Sequence, residues 1–225
     1  RLGDLWRFSV TDHLCHPDIL FTGGDVLSEA RRARLAALWQ AEVRNFYGLS
    51  EIFGPLAAEN EQLGIQSWQA TEVEVEIIDP LTLQPVPEGA VGVAVLTTLW
   101  DRPVKLVRYW TGDLFQLVNW IEPGRPRFIV KGRQGISLPG LRAGIHPVDI
   151  DEILLSDPAL GTEWTVEVRS EAVVITCESP HPRELVSSQT IQQLQDSFAS
   201  HVSLQVVVPG FLDRSRQKLG LPEWG

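Results

Sequence analysis

Tyr47-Gly48-Leu49-Ser50-Glu51, then Thr111-Gly112-Asp113, and Lys218 close to the carboxyl end are the residues whose types and order could do chemistry. A strand that ends in Tyr47-Gly48 brings an aromatic face to a sheet edge, and glycine lets the backbone approach a ligand closely. Ser50 offers a hydroxyl suited to a phosphate oxygen, and Glu51 a hard oxygen ligand for magnesium. A carboxylate at a strand end, as Asp113 would be, can accept both hydroxyls of a ribose. Lys218 would supply a point positive charge to a carboxylate and a phosphate as they react. Together these residues describe a nucleotide-handling site. Each has a plainer alternative: a solvated loop with Tyr47 half-buried as packing, a turn in which Asp113 bonds its own backbone, and a solvent-exposed lysine.

These side chains need a scaffold, and the chain has one in three stretches. The first fifty residues read as strand, helix, strand. Residues 18–22 form an apolar run ending at the turn Gly23-Gly24-Asp25, Ser28 caps a helix with Ala30, Ala33, Ala37 and Leu38 near one stripe, and Val43 to Phe46 delivers Tyr47. Such a crossover implies a parallel sheet. In the middle the period becomes two: Val73, Val75 and Ile77 alternate with Glu72, Glu74 and Glu76, and further strands are expected over 91–98 and 104–109. From Gly132-Arg133 onward a helix starting at Pro147, a hairpin around Ser170-Glu171, an amphipathic helix carrying Ile191, Leu194 and Phe198, and a last strand over 204–208 make a small α+β domain.

Composition narrows the class. The chain has 225 residues, 44% of them hydrophobic, and a net charge of −10. That charge argues against a nucleic-acid or anionic-membrane binder, which needs a dense basic face. No apolar run approaches the ~18 residues of a membrane span. Cys15 and Cys177 are the two cysteines, too few and too far apart for a disulfide framework or a Cys-rich zinc site, so a cytosolic setting is expected. His13 and His16 share a short stretch without a third ligand at metal spacing. The chain contains no methionine and opens on Arg1, which is expected of a fragment or a processed piece.

The run Tyr47 to Glu51 followed by Ile52-Phe53-Gly54-Pro55 resembles the acyl-adenylate-forming ligases, most closely the phenylacetate–coenzyme A ligase branch. The resemblance continues through Glu76 to Pro80, Val95 to Leu99, Val107-Arg108-Tyr109 before Thr111-Gly112-Asp113, Gly132-Arg133, Ile150 to Pro158, and Arg214-Ser215 ahead of Lys218. It implies ATP-dependent, magnesium-dependent adenylation of a carboxylic acid, with transfer of the acyl group to coenzyme A. It implies that Gly23, Gly24 and Asp25 line the adenine site with Tyr47 against the base. Ser50 would touch the α-phosphate, Glu51 would hold magnesium and Asp113 would bind the ribose. Arg133 would mark the junction between domains, and Lys218 would swing in for adenylation. Kinship to the aryl-acid branch implies a small aromatic acid, with Phe46, Ile52 and Phe53 as pocket residues. The implied fold is α/β plus α+β: residues 1–132 as part of an AMP-binding large domain (a parallel βα segment and an antiparallel, barrel-like subdomain), and 133–225 as a small mobile domain. Partners are the acid, ATP and coenzyme A, with a homodimer left open.

Four departures qualify the match. The family's glycine- and Ser/Thr-rich phosphate-binding loop has no counterpart, so the chain is expected to start within the large domain and to be inactive alone. Trp110 stands where an arginine is usual, and Gln134 follows Arg133 where an acidic residue is usual. Gln217 replaces the glycine before the late lysine. The rival reading is therefore a degenerate or partner-dependent relative that binds an adenylate without forming the thioester.

Overall fold

Alternation in Val-Glu-Val-Glu-Ile-Ile builds the far edge of the main sheet, because a period of two sends Val73, Val75 and Ile77 to one face and the glutamates to the other. The computed structural model describes residues 17–60, 62–100, 105–135, 138–169 and 172–212. Its main sheet has eight strands: β1 (Ile19–Gly23), β2 (Glu42–Leu49), β3 (Gly54–Glu59), β4 (Gln66–Trp68), β5 (Val73–Ile78), β6 (Val91–Thr98), β7 (Tyr109–Glu122) and β8 (Arg125–Arg133). They lie in the order β1-β2-β3-β4-β8-β7-β6-β5. The parallel and antiparallel parts expected from sequence thus join in one mixed sheet. At the β5 edge, Arg108 forks onto the Glu76 carboxylate at 3.0 and 3.2 Å, one of the charges that blunt an open edge.

Three strands, β3, β4 and β8, separate β2 from β7 in this order. In a flat sheet four interstrand steps would span about 19 Å. Yet the rings of Tyr47 on β2 and Phe115 on β7 lie 4.8 Å apart, edge to face. The sheet therefore coils on itself, and its concave side encloses Tyr47, Trp68, Val75, Phe115, Leu117 and Phe128.

The expected strand over 104–109 is corrected: β7 begins at Tyr109, where that strand was to end. Arg108 just before it has φ +45°, a left-handed conformation outside the extended region that a non-glycine strand residue occupies.

Two compact units divide the chain. One comprises Leu20–Val26 and Val43–Gly135; the other comprises Arg1–Ile19, Leu27–Glu42 and Ile136–Gly225. In the second, helices α1 (Glu29–Trp39), α2 (Pro147–Ser156) and α3 (Ser188–Ser197) accompany a three-stranded sheet. Its strands are β9 (Trp164–Arg169), β10 (Ala172–Glu178) and β11 (Val202–Val207), with β10 in the centre, antiparallel to β9 and parallel to β11. Ser28 caps α1 as expected, accepting from the Arg31 N–H at 3.2 Å.

The expected alanine stripe on α1 is not the packed face. Ala33 and Ala37 are exposed, and Ala30, Arg32 and Leu35 are buried. Arginines do the docking instead. Arg31 donates to both oxygens of Asp151, which has no exposed surface, and Ser28 and Trp164 donate to the same carboxylate. Arg34 donates to the carbonyls of Leu155, Asp157 and Leu160, where the end of α2 leaves acceptors unpaired. No helix among the described residues is long and apolar enough to cross a membrane.

Candidate functional site

Asp113 sits on β7 directly opposite Arg133 on β8, so the strand register alone brings the two together. Arg133 Nε lies 3.1 Å from Asp113 Oδ1, and its Nη2 donates to the Thr111 carbonyl at 2.8 Å. On the other carboxylate oxygen, the Tyr47 hydroxyl donates to Oδ2 at 2.6 Å. Gly112, within β7, takes φ +78° just before Asp113, a conformation that an L side chain would strain. Thr111 holds it in place: its hydroxyl donates to the Ala94 carbonyl and accepts from the Asp113 N–H. The plainer alternative for Asp113, a carboxylate bonded to its own turn, is not what its side chain does here.

Burial pushes the Asp113 carboxyl above the ordinary carboxylate range. The Tyr47 hydrogen bond and the Arg133 charge oppose that rise, and the negative charge of Glu51 adds to it. Glu51 is therefore close enough to be felt by Asp113. It lies in the 3-10 turn Ser50–Ile52 that follows β2, exposed, with its Oε1 accepting from the Tyr109 hydroxyl at 2.9 Å. That bond is the first cause that raises the Tyr109 phenol above its ordinary value. The chain has two tyrosines. Tyr47 donates to Asp113 and Tyr109 to Glu51, two of the carboxylates singled out by sequence.

Tyr47 itself is only 8% exposed, and its ring meets Phe115 and Phe128 edge-on. Its hydroxyl, more than its ring, faces the polar cluster. Gly48 serves strand pairing: a Cβ there would stand 2.5 Å from the Gly54 carbonyl oxygen, at the register shift between Tyr47 and Gly48. Ser50 is exposed at the start of the 3-10 turn.

Gly23 lies against the ring of Phe46, which places the Gly23-Gly24-Asp25 turn beside the residue preceding Tyr47. Asp25 Oδ1 accepts from the Val26 N–H at 3.0 Å. The three residues named as an acid pocket part company. Phe46 is half-buried under Gly23, and Phe53 is 90% exposed with φ +59°. Ile52 lines a groove of about 300 Å³ with Pro55, Leu56, Val73 and Trp100. Lys218, Gln217, Cys15, His13 and His16 lie outside the described residues.

Two departures noted in the sequence meet each other. Trp110 Nε1 donates to Gln134 Oε1 at 2.7 Å, so a neutral indole is matched by a neutral amide acceptor. Tyr109, Trp110 and Gln134 carried no site role in the sequence reading. Tyr109 stands two residues ahead of Thr111-Gly112-Asp113, but its partner is 58 positions away, which no local signal reveals.

A single carboxylate such as Glu51, with one oxygen not committed to Tyr109, suits magnesium, which keeps most of its waters and takes one or two protein carboxylates plus substrate phosphates. Among the described residues no group of three or more His, Cys, Asp or Glu side chains could hold a metal by itself.

No protein-family model matches the chain. A phenylacetate–coenzyme A ligase of Thermus thermophilus is 32% identical over 163 residues, covering 69% of this chain and 36% of that protein. A second, from Aromatoleum evansii, is 28% identical over 172 residues, covering 74% and 39%. The chain thus spans well under half the length of the curated relatives it matches. Among solved structures, a 2-hydroxyisobutyryl-CoA ligase in the postadenylation state with 2-HIB-AMP superposes with a TM-score of 0.72 at 20% identity, covering 88% of this chain and 46% of that one. A benzoate CoA ligase from Burkholderia xenovorans gives 0.59 at 15% identity, covering 88% and 44%. In sequence the chain is phenylacetate–coenzyme A ligase-like, and it carries part of the fold of the adenylate-forming ligase superfamily to which it belongs.

Proposed function

We propose that the chain acts, as part of a longer ligase, in ATP-dependent adenylation of a small, aromatic carboxylic acid and transfer of the acyl group to coenzyme A. The observation that carries this reading is the convergence of Tyr47, Asp113, Arg133, Glu51 and Tyr109, drawn from β2, its following turn, β7 and β8, into one polar cluster. On this reading Asp113 accepts the ribose hydroxyls and Arg133 adds positive charge beside them. Ser50 contacts the α-phosphate, and Gly23, Gly24 and Asp25 border the base. Glu51 would hold magnesium, which when bound supplies positive charge at the phosphates. Lys218 would bring its ammonium to the carboxylate and phosphate as the mixed anhydride forms. Fixed charges of this kind supply most of the catalysis in phosphoryl chemistry. Residues 1–132 would belong to the AMP-binding large domain and 133–225 to the small mobile one. Phe46, Ile52 and Phe53 are the candidates for contact with the acid.

The test is ATP–pyrophosphate exchange by the native protein with a panel of aryl acids. Exchange lost in Lys218→Ala with ATP still bound supports the assignment. Exchange that survives the combined loss of Glu51 and Lys218 sinks it. A second reading, adenylate binding without thioester formation, draws support from the neutral Trp110–Gln134 pair beside Arg133. It predicts exchange without any coenzyme A thioester product.

A further inference from the structure

We propose that Tyr47 is a positioning residue that fixes the Asp113 carboxylate through its hydroxyl, leaving that carboxylate shaped for a vicinal diol. This rests on the nucleotide reading above. Three observations carry it. The Tyr47 hydroxyl is 2.6 Å from Asp113 Oδ2. The Tyr47 ring is walled by Phe115 at 4.8 Å and Phe128 at 6.0 Å, and only 8% of the residue reaches solvent, which leaves little aromatic face for a ligand. Arg133 engages the opposite oxygen, Oδ1, at 3.1 Å.

An ionised carboxylate has about four acceptor sites on its two oxygens. One on each is taken here, by a phenol on Oδ2 and a guanidinium on Oδ1. One on each remains, the number and spacing that the two adjacent hydroxyls of a ribose would use. The phenol matters because a carboxylate held by Arg133 alone, itself a largely exposed side chain, could rotate about its χ2 bond. A second donor, anchored in the coiled sheet's core, removes that freedom. The Tyr109–Glu51 bond repeats the device at the other carboxylate, leaving Glu51 Oε2 unclaimed by that phenol.

The experiment compares AMP with 2′,3′-dideoxy-AMP by calorimetry on the wild-type chain, Tyr47→Phe and Tyr47→Leu. With the hydroxyl as the acting group, Tyr47→Phe weakens AMP about tenfold, because the freed carboxylate turns away from one diol hydroxyl and forfeits that hydrogen bond, and leaves the dideoxy analogue's affinity unchanged. A merely structural role would weaken both ligands equally, and that result overturns the proposal. So does a Tyr47→Phe chain that keeps AMP affinity while Tyr47→Leu loses it, the pattern of a ring stacked on the base. If the wild-type chain binds neither ligand, the nucleotide reading itself fails. A ligand-free arm separates the two: the Asp113 carboxyl, followed by ¹³C NMR, should titrate at higher pH in Tyr47→Phe, and an unchanged titration overturns the positioning role directly.

Discussion

The Tyr47 hydroxyl reaches Asp113 across 66 positions of sequence and three intervening strands of the same sheet. Coiling of that sheet is the condition for the contact, so anything that opens the coil should be felt at the candidate site. Stability and function are coupled there in opposite directions, which makes the first expectation a test of sign.

Asp113→Asn removes a charge that burial disfavours. Because burial raises the folded-state pKa of Asp113 above its ordinary value, the folded protein holds this proton to higher pH than the unfolded chain does. That contribution to stability is fully present below the ordinary pKa and is lost as pH rises through the raised one. Asp113→Asn should therefore melt at least as high as the parent at pH 7, by about 2–4 °C for each kcal/mol gained in a chain of this size. The advantage should shrink at pH 4, and AMP binding should be lost at both. A variant that melts lower at pH 7 than at pH 4, relative to the parent, would contradict the burial argument.

Asp151 is the opposite case, a buried charge that is fully answered. Arg31, Ser28 and Trp164 all donate to it. Asp151→Ala takes the countercharge from the Arg31 guanidinium and should cost about 3–5 kcal/mol in urea unfolding. The Arg31→Met, Asp151→Leu double variant should recover much of that loss, because the desolvation penalty disappears with both charges. Additive losses in the double variant would show that the pair is not the unit of stabilisation.

Gly48 is held by sterics. A methyl group there would meet the Gly54 carbonyl at 2.5 Å, and the obstacle is backbone that cannot rotate away. Gly48→Ala should cost about 1–3 kcal/mol as an overpacked site. It should also raise the measured Kd for AMP by shifting Tyr47 and Glu51, its near neighbours. Wild-type stability in this variant would mean that β2 and β3 pair less closely than described.

Cys177 lies wholly buried in the second unit's core, where burial pushes its thiol up to about 12. At pH 8 it should resist iodoacetamide in the folded chain and label promptly in urea, read by peptide mapping of Cys177 alone. Labelling at equal rates in both conditions would contradict a packed core around β10.

Much of this protein was legible in sequence because the signals are local. Val73 to Ile78 alternates, Ser28 caps, Pro147 opens a helix, and the two short motifs name Glu51 and Asp113. What local reading missed depends on long-range geometry. The alanines of α1 look like a packing stripe, but two hydrogen bonds from Arg31 to Asp151 and three from Arg34 to carbonyls around the end of α2 set the docked face instead. Tyr47 reads as an aromatic platform, and coiling of the sheet turns its ring inward and its hydroxyl toward Asp113. Trp110 and Gln134 read as separate departures, and the β7–β8 register makes them one hydrogen-bonded pair. Periodicity and caps determine which elements form, because they act within a few residues. Which side chains meet is decided by strand order and sheet curvature, which no window of sequence contains.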